Sequence, residues 1–442
     1  MTTQEIKKMS GEYNMYTWTK QKGYDPIVVD RAEGVYYWDT DGVRWTDLSS
    51  QLVCVNLGFH NEHVIQAMKD QADQFAYVAP RHTYEKRAQL AKMIIDRAPK
   101  NMAKVMFTLG GADSNEYAIR LAMVATGRPK VLSKYKSYHG SLWGSGSLTG
   151  QAHRSSPYPT AGFVHFPAPH MYECDVRFDT EEEYTEYFLK QLKNVITNER
   201  PEQIAAIFLE TVPGSNGCQI YPKGYLQGVR ELCDQYGIIM VCDEVMAGFG
   251  RCGDWFACEV FGVEPDIITC AKGINSGYAP LGGVIISKKL AEFFDDYALP
   301  AGLTYNAHAM GVAAAIANIE EFERLNVLDN VKKMGKILGE GLEELKRKHP
   351  CVGDVRYIGL HSAIEFSKNR KTREPLIASD GEDFMHDVGP ALKKRHMTTV
   401  GFDNCMMFCP ALTVTEEELR EMLAGVDDML GDFDHLADPI EE

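Results

Sequence analysis

The sequence predicts an α/β fold, with a large domain built on a mostly parallel sheet and a smaller α+β domain. Between residues 61 and 300, short apolar runs that suit buried strands alternate with helical patterns, which is typical of a parallel sheet covered by helices on both faces. The length of 442 residues exceeds what one hydrophobic core usually organises. A composition of 45% hydrophobic and 24% charged residues is that of an ordinary globular protein.

The first elements are a hairpin over residues 34–45, with Asp41 and Gly42 at its turn. Six apolar runs follow as predicted strands of the main sheet, at residues 104–109, 129–133, 204–210, 238–243, 267–270 and 283–287. Ligands of such sheets bind beyond the carboxyl ends of the strands. The glycine pair 110–111, Glu210, Asp243 and Lys272 all fall at predicted strand ends.

After about residue 325, two long helical stretches flank a strand pair near residues 355–366, which indicates a small α+β domain. Residues 416–430 have the pattern of a final amphipathic helix with Thr415 as its N-cap. We therefore expect residues 1–60 to join the small domain, residues 61–325 to form the large domain, and residues 326–442 to complete the small one.

Charge and cysteine usage limit the classes of partner. A formal net charge of −16 argues against nucleic acid as a ligand, because phosphate binding needs clustered Lys and Arg. The eleven cysteines show no metal-ligand spacing and no disulfide framework, which favours free thiols in a reducing cytoplasm and no bound metal. No apolar run approaches the length of a membrane helix, so we expect no membrane partner.

Two residues carry the strongest chemical prediction. Asp243 ends an apolar strand, where a half-buried carboxylate suits a cation such as a protonated pyridine nitrogen, although a turn aspartate is the commoner explanation. Lys272 ends the next strand, where desolvation favours the neutral amine that condenses with an aldehyde. Most lysines are solvated surface residues, so the prediction depends on both residues sharing one crevice.

A phosphate site and an aromatic platform are predicted nearby. Gly111 and Ala112 lie where a strand passes through a glycine turn into a helix, and the backbone N–H groups of such a helix start bind phosphate. Tyr138 follows another strand and could stack on one face of a ring, with Val245 on the other face. Each feature alone has a conformational or core-packing explanation.

Longer motifs resemble the signature of the class III (ω-) aminotransferases. They run Asp-Glu-Val-Met-Ala-Gly-Phe-Gly-Arg-Cys-Gly at residues 243–253, Gly-Val-Glu-Pro-Asp-Ile at 262–267, Ala-Lys-Gly-Ile at 271–274 and Pro-Leu-Gly-Gly at 280–283. The likeness extends to residues 56–60, 115–116, 138–140, 210–217, 302–308 and 355–356, and so covers nearly the whole chain.

This resemblance implies a fold-type I enzyme with a seven-stranded main sheet and pyridoxal 5′-phosphate as cofactor. Lys272 would be the Schiff-base lysine that also relays the proton during transamination, and Asp243 would contact the cofactor's ring nitrogen. The implied cofactor-binding residues are Gly111, Ala112, Tyr138, Glu210, Asp243, Val245, Lys272 and Thr304. The family also implies a homodimer, or a tetramer built from it, in which Thr304 reaches the phosphate bound by the other subunit.

At residues 210–217 and 243–251 the chain resembles notably the subgroup that acts on taurine and β-alanine, so the expected substrates are a small ω-amino acid or amine and a keto acid. Tyr16, Trp18 and Val53 lie where that subgroup lines its substrate pocket, although they could equally cover the hairpin. Many relatives carry an arginine for the acceptor's carboxylate where this chain has residues 400–404. Arg395 or Arg356 could substitute, which leaves pyruvate and 2-oxoglutarate open as acceptors.

A second departure is Met246, where many relatives have a glutamine near the cofactor's hydroxyl. The alternative functions are an aminomutase or amino-acid epimerase on the same scaffold, or a binding protein that has lost catalysis. A mutase or epimerase needs no keto acid, and a binding protein would not need the intact pair of Asp243 and Lys272.

Overall fold

The computed structural model describes residues 1–440. Its helices are α1 (Thr3–Tyr13), α2 (Ser50–Val53), α3 (Glu62–Gln74), α4 (Glu85–Ile95), α5 (Gly111–Thr126), α6 (Trp143–Leu148), α7 (Glu181–Asn198), α8 (Tyr225–Tyr236), α9 (Ala257–Val260), α10 (Lys288–Asp296), α11 (Ala309–Arg324), α12 (Val327–Lys348), α13 (Met385–Lys393) and α14 (Glu416–Gly431). Its strands are β1 (Val29–Glu33), β2 (Tyr36–Asp39), β3 (Arg44–Asp47), β4 (Met102–Thr108), β5 (Lys130–Lys134), β6 (Phe163–Phe166), β7 (Ile204–Glu210), β8 (Ile239–Asp243), β9 (Ile267–Cys270), β10 (Gly282–Ser287), β11 (Val352–Ile358), β12 (His361–Asn369), β13 (Glu374–Pro375), β14 (Met397–Thr398), β15 (Gly401–Phe402) and β16 (Cys405–Met407).

The main sheet has seven strands in the order β4-β10-β9-β8-β7-β5-β6. Only β10 runs against its neighbours, so the prediction of a mostly parallel seven-stranded sheet is confirmed. All six predicted strands are present within one or two residues of their predicted bounds. Strand β6 was not predicted, because it is a four-residue edge strand in which His165 interrupts the apolar pattern.

Helices cover both faces of this sheet because its strands are apolar on both sides. Along β7 every residue is buried, and successive side chains point to opposite faces. Ala206 and Phe208 pack in the cluster that contains Ala118 of α5, whereas Ile207 and Leu209 pack in the cluster that contains Phe188 of α7. This two-sided burial fixes the register of the strand ends that carry the site.

The N-terminal hairpin and the C-terminal part of the chain share two smaller sheets. The predicted turn at Asp41 and Gly42 joins β2 to β3, and β3 pairs with β14, so residues 29–47 are bonded to residues 397–398. The second small sheet has the order β11-β12-β16-β15. The capped C-terminal helix is confirmed, because the Thr415 hydroxyl accepts from the N–H of Glu418 at the start of α14. The exact domain bounds at residues 60 and 325 stay a prediction.

Within residues 1–440, no helix is both long and apolar enough to cross a membrane.

Candidate active site

Asp243 and Lys272 meet at the carboxyl edge of the main sheet. Asp243 is the last residue of β8 and pairs with Thr269 of the neighbouring strand β9, and Lys272 follows two residues after β9 ends. Both side chains line the same cavity, whose volume is about 470 Å³. The structure therefore brings together the two residues that the sequence singled out.

The backbone at Lys272 is held in an unusual conformation. Its φ of 47° lies in the left-handed region, which costs a residue other than glycine about 1–3 kcal/mol. The turn is fixed from behind, because the side-chain amide of Asn318 donates to the carbonyl oxygens of Gly273 (3.0 Å) and Ile274 (3.2 Å). Burial lowers the pKa of the Lys272 ammonium, so the neutral, nucleophilic amine is favoured.

Three donors orient the carboxylate of Asp243. Its Oδ2 accepts from the Asn115 side-chain amide and contacts Nδ1 of His139, each at 2.8 Å, while Oδ1 accepts from the backbone N–H of Val245 at 3.0 Å. Asn115 is itself fixed, because its Oδ1 accepts from the hydroxyl of Thr269 at 2.8 Å. The residue is only 4% exposed, so a cation that meets this carboxylate in the cavity is shielded from water.

The start of α5 forms the other end of the cavity. Gly110, Gly111 and Ala112 line it, and no side chain caps the first amides of this helix. A Cβ added to Gly111 would lie 2.7 Å from Cγ1 of Val245, so glycine is required for this close approach. An uncapped helix N-terminus with small residues is suited to a phosphate.

Between these two ends, the cavity is lined by residues that the sequence predicts to surround the cofactor's ring. Tyr138 and Val245 both line the cavity, as does Glu210, whose carboxyl is buried. Burial raises the pKa of the Glu210 carboxyl, and its Oε2 has no hydrogen-bond partner within residues 1–440. Met246 also lines the cavity.

Only one of the three predicted pocket residues faces the cavity. Trp18 lines it. Tyr16 lies outside, with its hydroxyl bonded to Ser10 and its ring 4.6 Å from that of Tyr24. Val53 is 1% exposed in an apolar cluster with Val212, because the turn at Ser50–Val53 directs its neighbour Leu52 into the cavity instead.

The two arginines proposed for the substrate carboxylate also lie elsewhere. Arg395 is bound by Asp428 and Asp432 at the C-terminal helix, with nitrogen to oxygen distances of 2.5 and 2.9 Å. Arg356 is paired with Glu365 at 2.7 Å and donates to the carbonyl of Gly217, so it is a structural ion-pair residue. Their guanidinium groups are occupied, which corrects the sequence interpretation.

Arg154 does line the cavity, although it was not predicted from the sequence. It lies in the segment between α6 and β6, where neither periodicity nor a glycine motif marks it. Thr304 is exposed and does not line the cavity of its own chain; its carbonyl accepts from the hydroxyl of Tyr77 at 3.0 Å.

Comparison with known proteins agrees with this geometry. The family model for class-III aminotransferases matches residues 19–430. The protein is therefore an aminotransferase. Within that class of enzymes it belongs to the class-III family, as the ordered motifs around Asp243 and Lys272 predicted.

Similar proteins extend over almost the full chain. The taurine–pyruvate aminotransferase of Bilophila wadsworthia is 33% identical, and the match covers 96% of each chain. A diaminobutyrate–2-oxoglutarate transaminase of Halomonas elongata is 32% identical and is matched over 90% of this chain and 88% of its own. The solved taurine:2-oxoglutarate aminotransferase of Bifidobacterium kashiwanohense, in complex with PLP and glutamate, superposes with a TM-score of 0.94 at 42% identity, covering 98% of this chain and 99% of that one.

The residues of the cavity fit pyridoxal 5′-phosphate, the cofactor of class-III aminotransferases. The uncapped amides of α5 would suit its phosphate, and Val245, which lines the cavity next to Gly111, would be available to pack against its ring. Asp243 presents a buried carboxylate for a ring nitrogen, and the amine of Lys272 faces the same space. When bound, this cofactor supplies an aldehyde for the amino group and a protonated ring that accepts the electron pair of the reacting carbon.

Proposed function

We propose that the protein transfers the amino group of a small ω-amino acid, of the taurine or β-alanine type, to a keto acid. The observation that carries the proposal is that Lys272, Asp243 and Arg154 line one cavity. The first two residues are the amine and carboxylate of transamination. Arg154 adds a cation for the acid group at the far end of the donor.

Lys272 has two tasks in this scheme. With the cofactor bound, its Nζ would hold the cofactor's aldehyde carbon, and the freed neutral amine would take the proton from the carbon next to the substrate's nitrogen. The same Nζ would then return that proton to the carbon of the cofactor's former aldehyde group. Burial of Lys272 favours the neutral form needed for the first of these transfers.

Apolar side chains around Arg154 restrict the size of the donor. Trp18 and Phe402 line the cavity next to the guanidinium, and Leu52 lines the same cavity. A short acid with a terminal amine places its charge on Arg154 and its amino group near Lys272, whereas a bulky donor would meet these side chains. Relatives that act on taurine support this size class.

The acceptor is proposed to be 2-oxoglutarate or pyruvate. The solved relative at 42% identity is named for 2-oxoglutarate and the relative at 33% identity for pyruvate, so the former is favoured. Arg154 is a planar donor that matches the carboxylate of either acid.

A donor panel tests the proposal. Taurine, β-alanine, 4-aminobutyrate and 1-phenylethylamine are each supplied with 2-oxoglutarate or pyruvate, and the amino acid product is measured. We expect activity with the short acids that requires the keto acid and is absent in Lys272→Ala. Failure of every short ω-amino acid removes the substrate proposal, and conversion without a keto acid indicates a mutase or epimerase.

We further propose that the enzyme is a homodimer in which Thr304 contacts the phosphate bound by the other subunit. Support comes from its position, since Thr304 is exposed beside Tyr77 and Tyr305, whose side chains are 40% and 54% exposed. Exposed aromatic groups of this kind are common in interfaces. The eleven cysteines, all free thiols in the structure, support a location in the reducing cytoplasm.

A mixing experiment tests the shared site. Lys272→Ala and Thr304→Ala chains are unfolded together and refolded with cofactor. In a mixed dimer, one site receives an intact lysine and an intact threonine from different chains. Activity should rise toward about a quarter of that of the wild-type protein, because half of the dimers are mixed and each has one repaired site. Activity equal to the average of the two separate variants would show that Thr304 acts within its own chain.

A further inference from the structure

Three aromatic rings contact the guanidinium of the half-buried Arg154. Its central carbon lies 4.4 Å from the ring centroid of Phe402, 4.5 Å from that of Tyr138 and 5.2 Å from that of Trp18. We call Trp18, Tyr138 and Phe402 the ring cage. All three side chains also line the cavity that contains Lys272.

The ring cage is assembled from distant parts of the chain. Trp18 belongs to the N-terminal segment before β1, Tyr138 follows β5 of the main sheet, and Phe402 ends β15 of a small sheet. Arg154 therefore lies where these three regions meet. Its orientation depends on contacts that only the complete fold provides.

No carboxylate within residues 1–440 forms an ion pair with Arg154. Asp403 is next to Phe402 in sequence, but its carboxylate lies 3.9 Å from His153 instead. Asp403 and the cavity residue Glu210 act on Arg154 only through their fields. Within the described residues, the guanidinium is thus contacted by rings and forms no direct ion pair with a carboxylate.

Contact with rings instead of a carboxylate favours substrate binding by Arg154. A ring attracts a guanidinium through its π face and offers no carboxylate oxygen to the cation's N–H groups. Those N–H groups form the fork that matches a carboxylate or sulfonate. A side-chain carboxylate in place of the rings would compete with the substrate for the same fork.

We propose that Phe402, supported by Trp18, is a positioning residue that holds Arg154 open for the acid group of the substrate and so sets the preference for acidic over uncharged amines. The inference rests on the proposed function, because it assigns the residue that orients the substrate's acid end. Phe402 acts through Arg154 and takes no part in proton transfer.

The test compares Phe402→Leu with the wild-type holoenzyme. Leucine keeps an apolar side chain but removes the ring face. We expect the KM for taurine to rise roughly 2- to 30-fold, the range of cation–π contacts, with kcat nearly unchanged. The KM for 1-propylamine, which has no acid group, should stay the same. Phe402→Tyr keeps a ring and should behave like the wild-type protein.

A second measurement does not depend on turnover. Ethanesulfonate carries the acid group without an amine, and its affinity for the holoenzyme can be measured by calorimetry. We expect Phe402→Leu to weaken its binding by the same factor as the KM of taurine rises. Phe293→Leu is the matched control, because Phe293 is an exposed phenylalanine of α10 that does not line the cavity.

The outcomes separate the two proposals. If taurine is not a donor but ethanesulfonate binds the wild-type protein and binds Phe402→Leu more weakly, the substrate proposal fails and the ring cage stands. If ethanesulfonate affinity is unchanged in Phe402→Leu, or if the KM values for taurine and 1-propylamine rise equally, the role of Phe402 is wrong. If Phe402→Leu does not fold, Trp18→Leu decides the same question, because Trp18 is 62% exposed and tolerates replacement.

Discussion

Nδ1 of His139 lies 2.8 Å from Oδ2 of Asp243, and the His139 side chain is fully buried. The imidazole also makes an edge-to-face contact with the ring of Phe208, at a centroid distance of 6.0 Å. Since Asn115 donates to the same oxygen, the carboxylate has a fixed orientation toward the cavity. His139 therefore helps to orient Asp243, the carboxylate proposed to meet the cofactor's ring nitrogen.

His139→Phe should lower kcat without unfolding the protein. Phenylalanine retains the aromatic contact with Phe208 but removes the N–H that meets Asp243. A hydrogen bond to a charged group contributes about 1.5–3 kcal/mol, which corresponds to roughly a 10- to 150-fold loss. Steady-state kinetics and the visible absorption of the bound cofactor measure the effect. The control is His63→Phe at an exposed helix position, and equal kcat values in both variants would contradict the role of His139.

Asp243→Asn should cause a larger loss. The amide has nearly the same shape but no charge to pair with a protonated ring nitrogen. Losing one partner of a buried ion pair costs about 3–5 kcal/mol, so activity should fall at least about 100-fold. Circular dichroism should show an intact fold, and Asp296→Asn at an exposed position should have full activity. Activity of Asp243→Asn within tenfold of wild type would refute the pairing.

Gly111→Ala should weaken binding of the cofactor. The added methyl group would lie 2.7 and 2.9 Å from the two γ-carbons of Val245, so either the helix start or Val245 must move. Titration of the apoenzyme with pyridoxal phosphate measures the affinity. The double variant Gly111→Ala/Val245→Ala removes the clash and should recover much of the lost affinity. No recovery would show that the helix start, and not the contact with Val245, controls binding.

The sequence predicted what depends on local pattern. Strand ends were found because apolar runs stop at Glu210, Asp243 and the residues before Lys272, and the parallel arrangement then requires these ends to meet. Gly111 was found because a strand, a glycine turn and a helix follow one another directly. These relationships involve neighbouring residues or neighbouring strands, so periodicity and motif order determine them.

The substrate end of the cavity could not be predicted in this way. Arg154, Leu52 and Phe402 come from a loop, a short turn and a two-residue strand, and none has a pattern that indicates its direction. The resemblance predicts Val53 in the pocket, but the backbone turns through positive φ at Gln51 and Val53, and Leu52 lines the cavity while Val53 packs in an apolar cluster. Such positions depend on tertiary packing between distant segments.

Lys134 is a further buried residue that the sequence did not mark. It ends β5, is 1% exposed, and donates from Nζ to the carbonyl of Lys136 at 3.1 Å. Burial lowers the pKa of this ammonium from 10.5 to about 8, against the opposing field of Glu210. Tyr138 and His139 lie in the segment that follows Lys134. We therefore expect the protonation of Lys134 to affect the stability of the site.

Lys134→Met should make the pH dependence of stability flatter in the alkaline range. Below pH 8 the folded wild-type protein must bury a charged amine, whereas between pH 8 and 10.5 the folded state is neutral and the unfolded state still binds the proton. The unfolding free energy of wild type should therefore rise relative to Lys134→Met by roughly 2–3 kcal/mol from pH 7 to pH 10. Urea titrations at each pH measure this difference, with exposed Lys100→Met as control. A constant difference between wild type and Lys134→Met would mean that the buried amine does not change its charge in this range.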